Sequence, residues 1–368
     1  MAAMAQAAFA VLVWGARVRI TTARKLVLFH TMLYSSHPIG GRLRDSRAKV
    51  TKVLFAHVQA RLGSYSPRTT LSVMPLTVLT FAPSSKSPAK ELPVSTINLY
   101  YEVHGQEHGN PLLCIHGFGA SLYSWREFVK AGSPLTAKYK VITIDLKGCG
   151  KSPKPSDNRY SPLDQADLIY KLILELDLQN LTLIGNSYGG GLSLLLTEML
   201  MERGELSRLK ALIPIDSAAY KEYVPLFIKL LSVPVLNLSA YLIPSRCAAK
   251  MVLRASYYDP NKITPEQITA YATPLSDPGA RHALLETGKQ IIPPNFEEIV
   301  AKYKTIMTPT LIIWGRQDGL LPLESGERLH RDIQTSTLKV FDRCGHVPQE
   351  EQPEKTIPEV MTFLQTVY

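Results

Sequence analysis

From residue 95 onward, short apolar runs alternate with amphipathic stretches. Residues 95–105 (STINLYYEVHG) alternate apolar and polar positions, as an edge strand does. Residues 111–117 (PLLCIHG), 139–148 (YKVITIDLKG), 181–187 (LTLIGNS), 209–217 (LKALIPIDS) and 308–318 (TPTLIIWGRQD) carry short continuous apolar runs, and 336–346 (STLKVFDRCGH) reads as a further strand. Runs of that length without alternation are the mark of parallel strands buried on both faces. Helical patterns fall between them, at 121–131, from Pro162 to about Leu178, at 188–204, at 324–333 and at 354–365. Ser161 and Pro162 form an N-cap and first-turn pair, and Asp164 and Asp167 lie near the positive end of that helix dipole. This alternation predicts an α/β protein with a mostly parallel sheet and helices on both faces.

Residues 218–306 break the alternation. They hold helical pieces, Pro225, Pro234 and Pro244, and many tyrosines, but no strong buried strand. About 90 residues between two strands is far more than a connection needs, so this stretch is expected to form a helical subdomain. The core is then 94–217 together with 307–368, preceded by a Pro-, Ser- and Lys-rich linker at 74–93.

Charge divides the chain more sharply. The 368 residues hold 41 Lys and Arg against 31 Asp and Glu, a net charge of +10. Residues 1–73 contain eleven of the bases and one acid, Asp45, which leaves thirty bases and thirty acids in the rest. The excess belongs to the leader, so it gives no ground for a nucleic-acid partner or an acidic substrate. The leader's many Arg, Ser and Thr and its scarcity of acid are those of a mitochondrial or plastid transit peptide. Two other readings stay open, a functional element and an unstructured extension ahead of a start at Met74. Without a transit peptide the expected location is the cytoplasm. No run approaches the ~20 apolar residues of a membrane span, so stable membrane insertion is not expected. Four cysteines (114, 149, 247 and 344) without a CxxC pair indicate neither a disulfide framework nor a zinc site.

The chemistry concentrates at the ends of the apolar runs. Gly185-Asn186-Ser187-Tyr188-Gly189 is a G-x-S-x-G placed directly after a strand and directly before a helix. That context strains a Ser onto a sharp turn and exposes its hydroxyl, while small flanking residues relieve the crowding. A Ser nucleophile needs a base, and the base an orienting acid. His346 follows the last strand and Asp318 follows the one before it, so the order Ser187, Asp318, His346 brings all three to one sheet edge. Asp216, at the end of the strand after the nucleophile helix, is the competing acid, but it lacks the strand–loop setting of Asp318. An oxyanion hole is expected from the backbone N–H groups of Phe118 and Tyr188, with Gly117 letting the chain turn and His116 bracing it. Asn186 is expected to support the nucleophile.

Two motifs are rejected. Gly150-Lys151-Ser152 ends like a phosphate-binding loop, but Asp145 occupies the position of the required first Gly. Cys149 and Cys344 lie near the expected site without the setting of a nucleophile, and read as packing residues.

Taken together, HGFG at 116–119, DLKGCGKS at 145–152, GNSYGG at 185–190, WGRQD at 314–318 and RCGH at 343–346 resemble the cap-bearing serine hydrolases of the α/β-hydrolase superfamily over roughly residues 95–366. The resemblance implies an eight-stranded sheet, a helical cap after the sixth strand and hydrolysis through an acyl-enzyme, with no metal or organic cofactor. The elbow GNSxGG is similar to that of the meta-cleavage carbon–carbon hydrolases, whereas Ser187 argues against dehalogenases and epoxide hydrolases, which use Asp there. The primary expectation is hydrolysis of a small or medium, largely apolar carboxylic ester. Carbon–carbon bond hydrolysis and perhydrolysis are the alternatives, and a non-catalytic ligand receptor on the same fold is a third.

Overall fold

The computed structural model describes residues 98–231 and 243–368. The leader and linker expected at 1–73 and 74–93, and the start of the core at 94–97, lie outside the described residues. So do Pro234 and Tyr241 of the helical insertion.

Seven strands form one sheet: β1 (Tyr101–Gly105), β2 (Pro111–Ile115), β3 (Lys140–Ile144), β4 (Leu181–Asn186), β5 (Leu209–Ile215), β6 (Thr310–Gly315) and β7 (Ser336–Phe341). Their spatial order is β1-β3-β2-β4-β5-β6-β7. β1 runs antiparallel to β3, and every other pair is parallel. Each strand seen here was legible as an apolar or alternating run. The eighth strand implied by the resemblance is not among the described residues.

The helices are α1 (Arg126–Val129), α2 (Pro134–Lys138), α3 (Pro162–Glu175), α4 (Tyr188–Glu202), α5 (Leu226–Leu231), α6 (Ser245–Ser256), α7 (Pro265–Ala272), α8 (Pro278–Gln290), α9 (Phe296–Lys302), α10 (Leu323–Asp332), α11 (Pro348–Glu351) and α12 (Pro353–Val367). Ser161 caps α3 in a reciprocal box with Asp164, each side chain taking up an orphan backbone N–H. The single helix expected over 121–131 is instead a 3₁₀ turn at Leu122–Trp125 that runs into α1. Two buried layers sandwich the sheet. On one face Ile169, Ile173, Leu192, Leu196 and Leu329, from α3, α4 and α10, pack on Leu113, Ile142 and Leu183. On the other, Phe128, Leu135, Val360 and Leu364, from α1, α2 and α12, pack on Leu112, Val141 and Ile313. Fully burying each Leu or Ile contributes about 1.5–3 kcal/mol.

The register fixes where the loops emerge. Ile115 pairs with Gly185, Asn186 with Ile215, and Ile215 with Ile313. The carboxyl ends of the central strands therefore lie abreast, and the segments beginning at His116, Ser187, Asp216 and Arg316 leave the sheet at one edge. Helices α5–α9 form the excursion between β5 and β6. No helix among the described residues is long and apolar enough to cross a membrane.

Candidate active site

Ser187 has φ 56° and ψ −117°, a left-handed backbone that a non-glycine residue adopts only under constraint. Its N–H donates to Ile215 O at 2.9 Å, and its carbonyl accepts from Ala218 N at 2.9 Å and Gly191 N at 3.1 Å. The neighbours leave no alternative. A Cβ on Gly185 would lie 2.2 Å from Gly189 O, and one on Gly189 would lie 2.1 Å from Ile115 O. The G-x-S-x-G spacing is thus a packing requirement: the first turn of α4 passes directly over β2 and β4.

His346 and Asp318 meet as their chain order predicted. His346 Nδ1 and Asp318 Oδ2 are 2.6 Å apart, and both side chains are almost wholly buried. Asp318 Oδ1 also accepts the N–H groups of Leu320 (2.7 Å) and Leu321 (3.0 Å), which fixes the carboxylate plane. Because Nδ1 is engaged, Nε2 is the ring nitrogen left for a candidate nucleophile.

The backbone of His346 is fastened on two sides. Its N–H donates to Ser256 O at 2.6 Å, and its carbonyl accepts Asn186 Nδ2 at 3.0 Å. Asn186 Nδ2 also reaches Ile215 O at 3.2 Å. Asn186 therefore ties the turn of Ser187 to the loop of His346.

At the expected oxyanion hole, a Cβ on Gly117 would touch Ser187 Cβ at 3.2 Å, so the HGFG turn runs against the nucleophile. Tyr188 opens α4, and a first-turn N–H has no intrahelical acceptor. Phe118 is half-buried beside it in sequence with Gly117. His116 is a brace: Leu146 N donates to its Nε2 at 3.0 Å, so Nδ1 carries the proton, which it gives to Gly117 O at 2.8 Å. Burial holds its pKa below the usual histidine range.

The two rejected motifs are accounted for. Asp145 Oδ1 and Oδ2 accept the N–H groups of Leu122 (2.8 Å) and Lys151 (2.7 Å), tying two loops together where a phosphate loop would need a glycine. Burial pushes the Cys149 thiol up to about 12 and those of Cys114 and Cys344 higher still.

Two acidic residues near the site had no local signal for what they do. Glu350 accepts Arg126 Nη1 (2.5 Å), Tyr271 OH (2.5 Å) and Tyr257 OH (3.3 Å), and Gln267 Nε2 donates to Tyr257 OH at 2.7 Å. Burial pushes the Glu350 carboxyl up against the opposing pull of Arg126. Glu351 accepts the N–H groups of Gly345 (2.7 Å), Asp259 (2.8 Å) and Tyr258 (3.1 Å). These partners are 79 to 224 residues distant in sequence, apart from Gly345. The one hint was position, immediately after the loop of His346. Asp216, the competing acid, does not bond His346; it lies beside Asp318 instead, with ligand atoms of Asp216, Asp318 and His346 all within 4.8 Å of one another.

The chain belongs to the α/β-hydrolase fold family, whose pattern it matches over residues 110–353. It is similar to the uncharacterized hydrolase YugF of Bacillus subtilis, 28% identical over 76% of this chain and 98% of that one. It is also similar to 2-hydroxy-6-oxononadienedioate/2-hydroxy-6-oxononatrienedioate hydrolase of Paraburkholderia xenovorans, 30% identical over 73% of this chain and 91% of that one. Among solved structures it resembles the meta-cleavage product hydrolase CumD of Pseudomonas fluorescens, with a TM-score of 0.61 and 26% identity over 73% of this chain and 95% of that one. The protein is thus an α/β hydrolase.

Proposed function

We propose that the chain is a serine-dependent carbon–carbon bond hydrolase acting on 2-hydroxy-6-oxo dienoic acids, with Ser187, His346 and Asp318 as its triad. The observation that carries the reading is the 2.6 Å bond between His346 and Asp318 at the edge where Ser187 stands in a left-handed turn. The substrate class follows from the similarity to the Paraburkholderia hydrolase over nearly its whole length. Ester hydrolysis, the first expectation from sequence, uses the same nucleophile and oxyanion donors, but the named relatives favour the carbon–carbon reading.

A 2-hydroxy-6-oxo dienoic acid contains no ester or amide, so hydrolytic cleavage of its chain must break a carbon–carbon bond. Ketonisation at C2 moves a proton to C5, which becomes sp³ and takes the single C5–C6 bond out of conjugation. His346 Nε2 then takes the Ser187 proton as Oγ attacks the C6 ketone. The oxyanion is held by the N–H groups of Phe118 and Tyr188. When it collapses, the C5–C6 electron pair passes through the conjugated chain to the C2 oxygen, and the proton held by His346 is returned to that dienolate. Water, activated by the same histidine, releases the C6 fragment from Ser187 as a carboxylic acid. Asp318 carries one negative charge throughout and stabilises the imidazolium.

Helices α5–α9 act as the cap that selects the substrate. Leu284 of α8 lies 3.3 Å from the Cβ position of Gly119, and Ser256 at the end of α6 holds the histidine loop.

The test is turnover of 2-hydroxy-6-oxononadienedioate, followed by loss of its dienol absorbance, beside a p-nitrophenyl ester series. Turnover of the dienoic acid that vanishes in Ser187→Ala is expected. Ser187-dependent turnover of esters alone would return the function to an esterase.

A further inference from the structure

Asp216 follows β5 with φ 41°, a left-handed position that Asp tolerates better than most residues, and its side chain is fully buried. Its Oδ1 accepts the N–H of Gly315 at 3.0 Å. Its Oδ2 is buried and has no hydrogen-bond partner among the protein's donors. A buried acceptor without a donor is costly, and the neighbour in reach is another carboxyl, that of Asp318.

Two carboxylates this close with both side chains fully buried cannot both be ionised. The hydrogen bonds decide where the charge resides. Asp318 receives three donors, from Leu320 N, Leu321 N and His346 Nδ1, whereas Asp216 receives one. We propose that Asp216 is a neutral carboxylic acid whose Oδ2–H donates to the Asp318 carboxylate, making it a positioning residue for the triad acid. The inference rests on the reading of Ser187, His346 and Asp318 as a triad.

Burial and the facing charges act on Asp216 in one direction, and a single N–H opposes them. Burial and then the charge of Asp318 hold its carboxyl well above the usual carboxylate range, and Glu351 adds to the effect against the single N–H of Gly315. Cys344, the nearby thiol, is held neutral by its burial. His346 directs Nδ1 at Asp318. The neutral acid has a catalytic consequence. A second negative charge beside His346 would favour imidazolium in the resting enzyme and remove the base that Ser187 needs. Protonation of Asp216 completes the shell of Asp318 and withholds that second charge.

Asparagine mimics the neutral acid, since its amide donates to Asp318 without titrating. Asp216→Asn is expected to keep kcat within about threefold, whereas Asp216→Ala is expected to lower kcat about tenfold or more with KM little changed. Raising the pH should expose the difference again: wild type loses activity as Asp216 ionises, and Asp216→Asn does not. A readout free of turnover is infrared difference spectroscopy at neutral pH. The wild-type minus Asp216→Asn spectrum should contain the carbonyl band of a protonated carboxyl, and it should do so in a Ser187→Ala background too. Failure of the triad reading would appear as turnover surviving Ser187→Ala and would leave the infrared band untouched. The proposal is overturned if that band is absent. It is also overturned if Asp216→Asn is as damaged as Asp216→Ala, or if Asp318→Asn stays active while Asp216→Asn is dead, which would make Asp216 the ionised triad acid. Should Asp216→Ala fail to fold, the Asn variant and the infrared band decide.

Discussion

The side-chain amide of Asn186 donates to the backbone carbonyl of His346 at 3.0 Å, joining the turn of the candidate nucleophile to the loop of its candidate base. The two residues are 160 positions apart in sequence. This hydrogen bond, with those from His346 N to Ser256 O and from Gly345 N to Glu351, fixes the placement of two groups that must meet closely for proton transfer.

Asn186→Ala should release that loop. Misplacing a base by about 1 Å costs on the order of 10²-fold in rate, so kcat is expected to fall about 10- to 100-fold while KM changes little. Steady-state kinetics on folded protein check this. Unchanged kcat would show that the histidine loop is held by Ser256 and Glu351 alone.

Glu351→Ala should strip acceptors from the N–H groups of Gly345, Tyr258 and Asp259 at once. Each orphaned buried donor costs about 1–3 kcal/mol, so a clear fall in Tm is expected, together with reduced turnover because Gly345 adjoins His346. Glu351→Gln keeps one acceptor oxygen and should fall between the two. Thermal denaturation and activity measured on the same samples separate the effects.

Glu198, in α4, gives the protein a pH-dependent liability. Its side chain is nearly fully buried, and burial pushes the carboxyl up to about 8, with Glu202 adding to the shift and Lys302 opposing it. The folded protein binds this proton more tightly than the unfolded chain, whose carboxyl has the ordinary value of 4.5. Stability from the neutral form is full below about 4.5 and is lost as pH rises toward 8, by at most about 1.4 kcal/mol per pH unit. Glu198→Gln should therefore raise Tm at pH 8–9 and by progressively less toward pH 5. A Tm gain independent of pH would refute the assignment.

Thiol reagents should spare the enzyme. Cys114 and Cys344 are buried and Cys149 is held mostly protonated, so only the exposed Cys247 is open to alkylation. Iodoacetamide at pH 8 should modify about one thiol per chain and leave turnover intact. Inactivation that tracks a second modified thiol would contradict this.

How much of this was legible in the sequence depends on range. The strands from Pro111 to Gly315 announced themselves because burial on both faces forces runs of Leu, Ile and Val, whereas β7, at the sheet edge, has exposed positions among its buried ones. The elbow announced itself because Gly185 and Gly189 are demanded by atoms 2.2 and 2.1 Å from their missing Cβ positions. Ser187, Asp318 and His346 followed from their places at strand ends. What stayed hidden is cooperation across distance. Asp216 was readable as a rival for Asp318 and is instead its neighbour, since only the register of β5 beside β6 brings their ends together. Glu350 and Glu351 carried no signal, because their partners Arg126, Tyr271 and Tyr258 come from other layers of the fold. The eight-stranded sheet came from resemblance rather than from periodicity, which marked seven strands.

The central claim is that Ser187, activated by His346 and Asp318, is the nucleophile, and covalent trapping tests it most directly. Intact-mass analysis after treatment with a fluorophosphonate should show a single adduct, mapped by peptide digestion to Ser187. The adduct should be absent in Ser187→Ala and should form far more slowly in His346→Ala. Failure of the wild-type protein to label, or an adduct that persists in Ser187→Ala, would contradict the account.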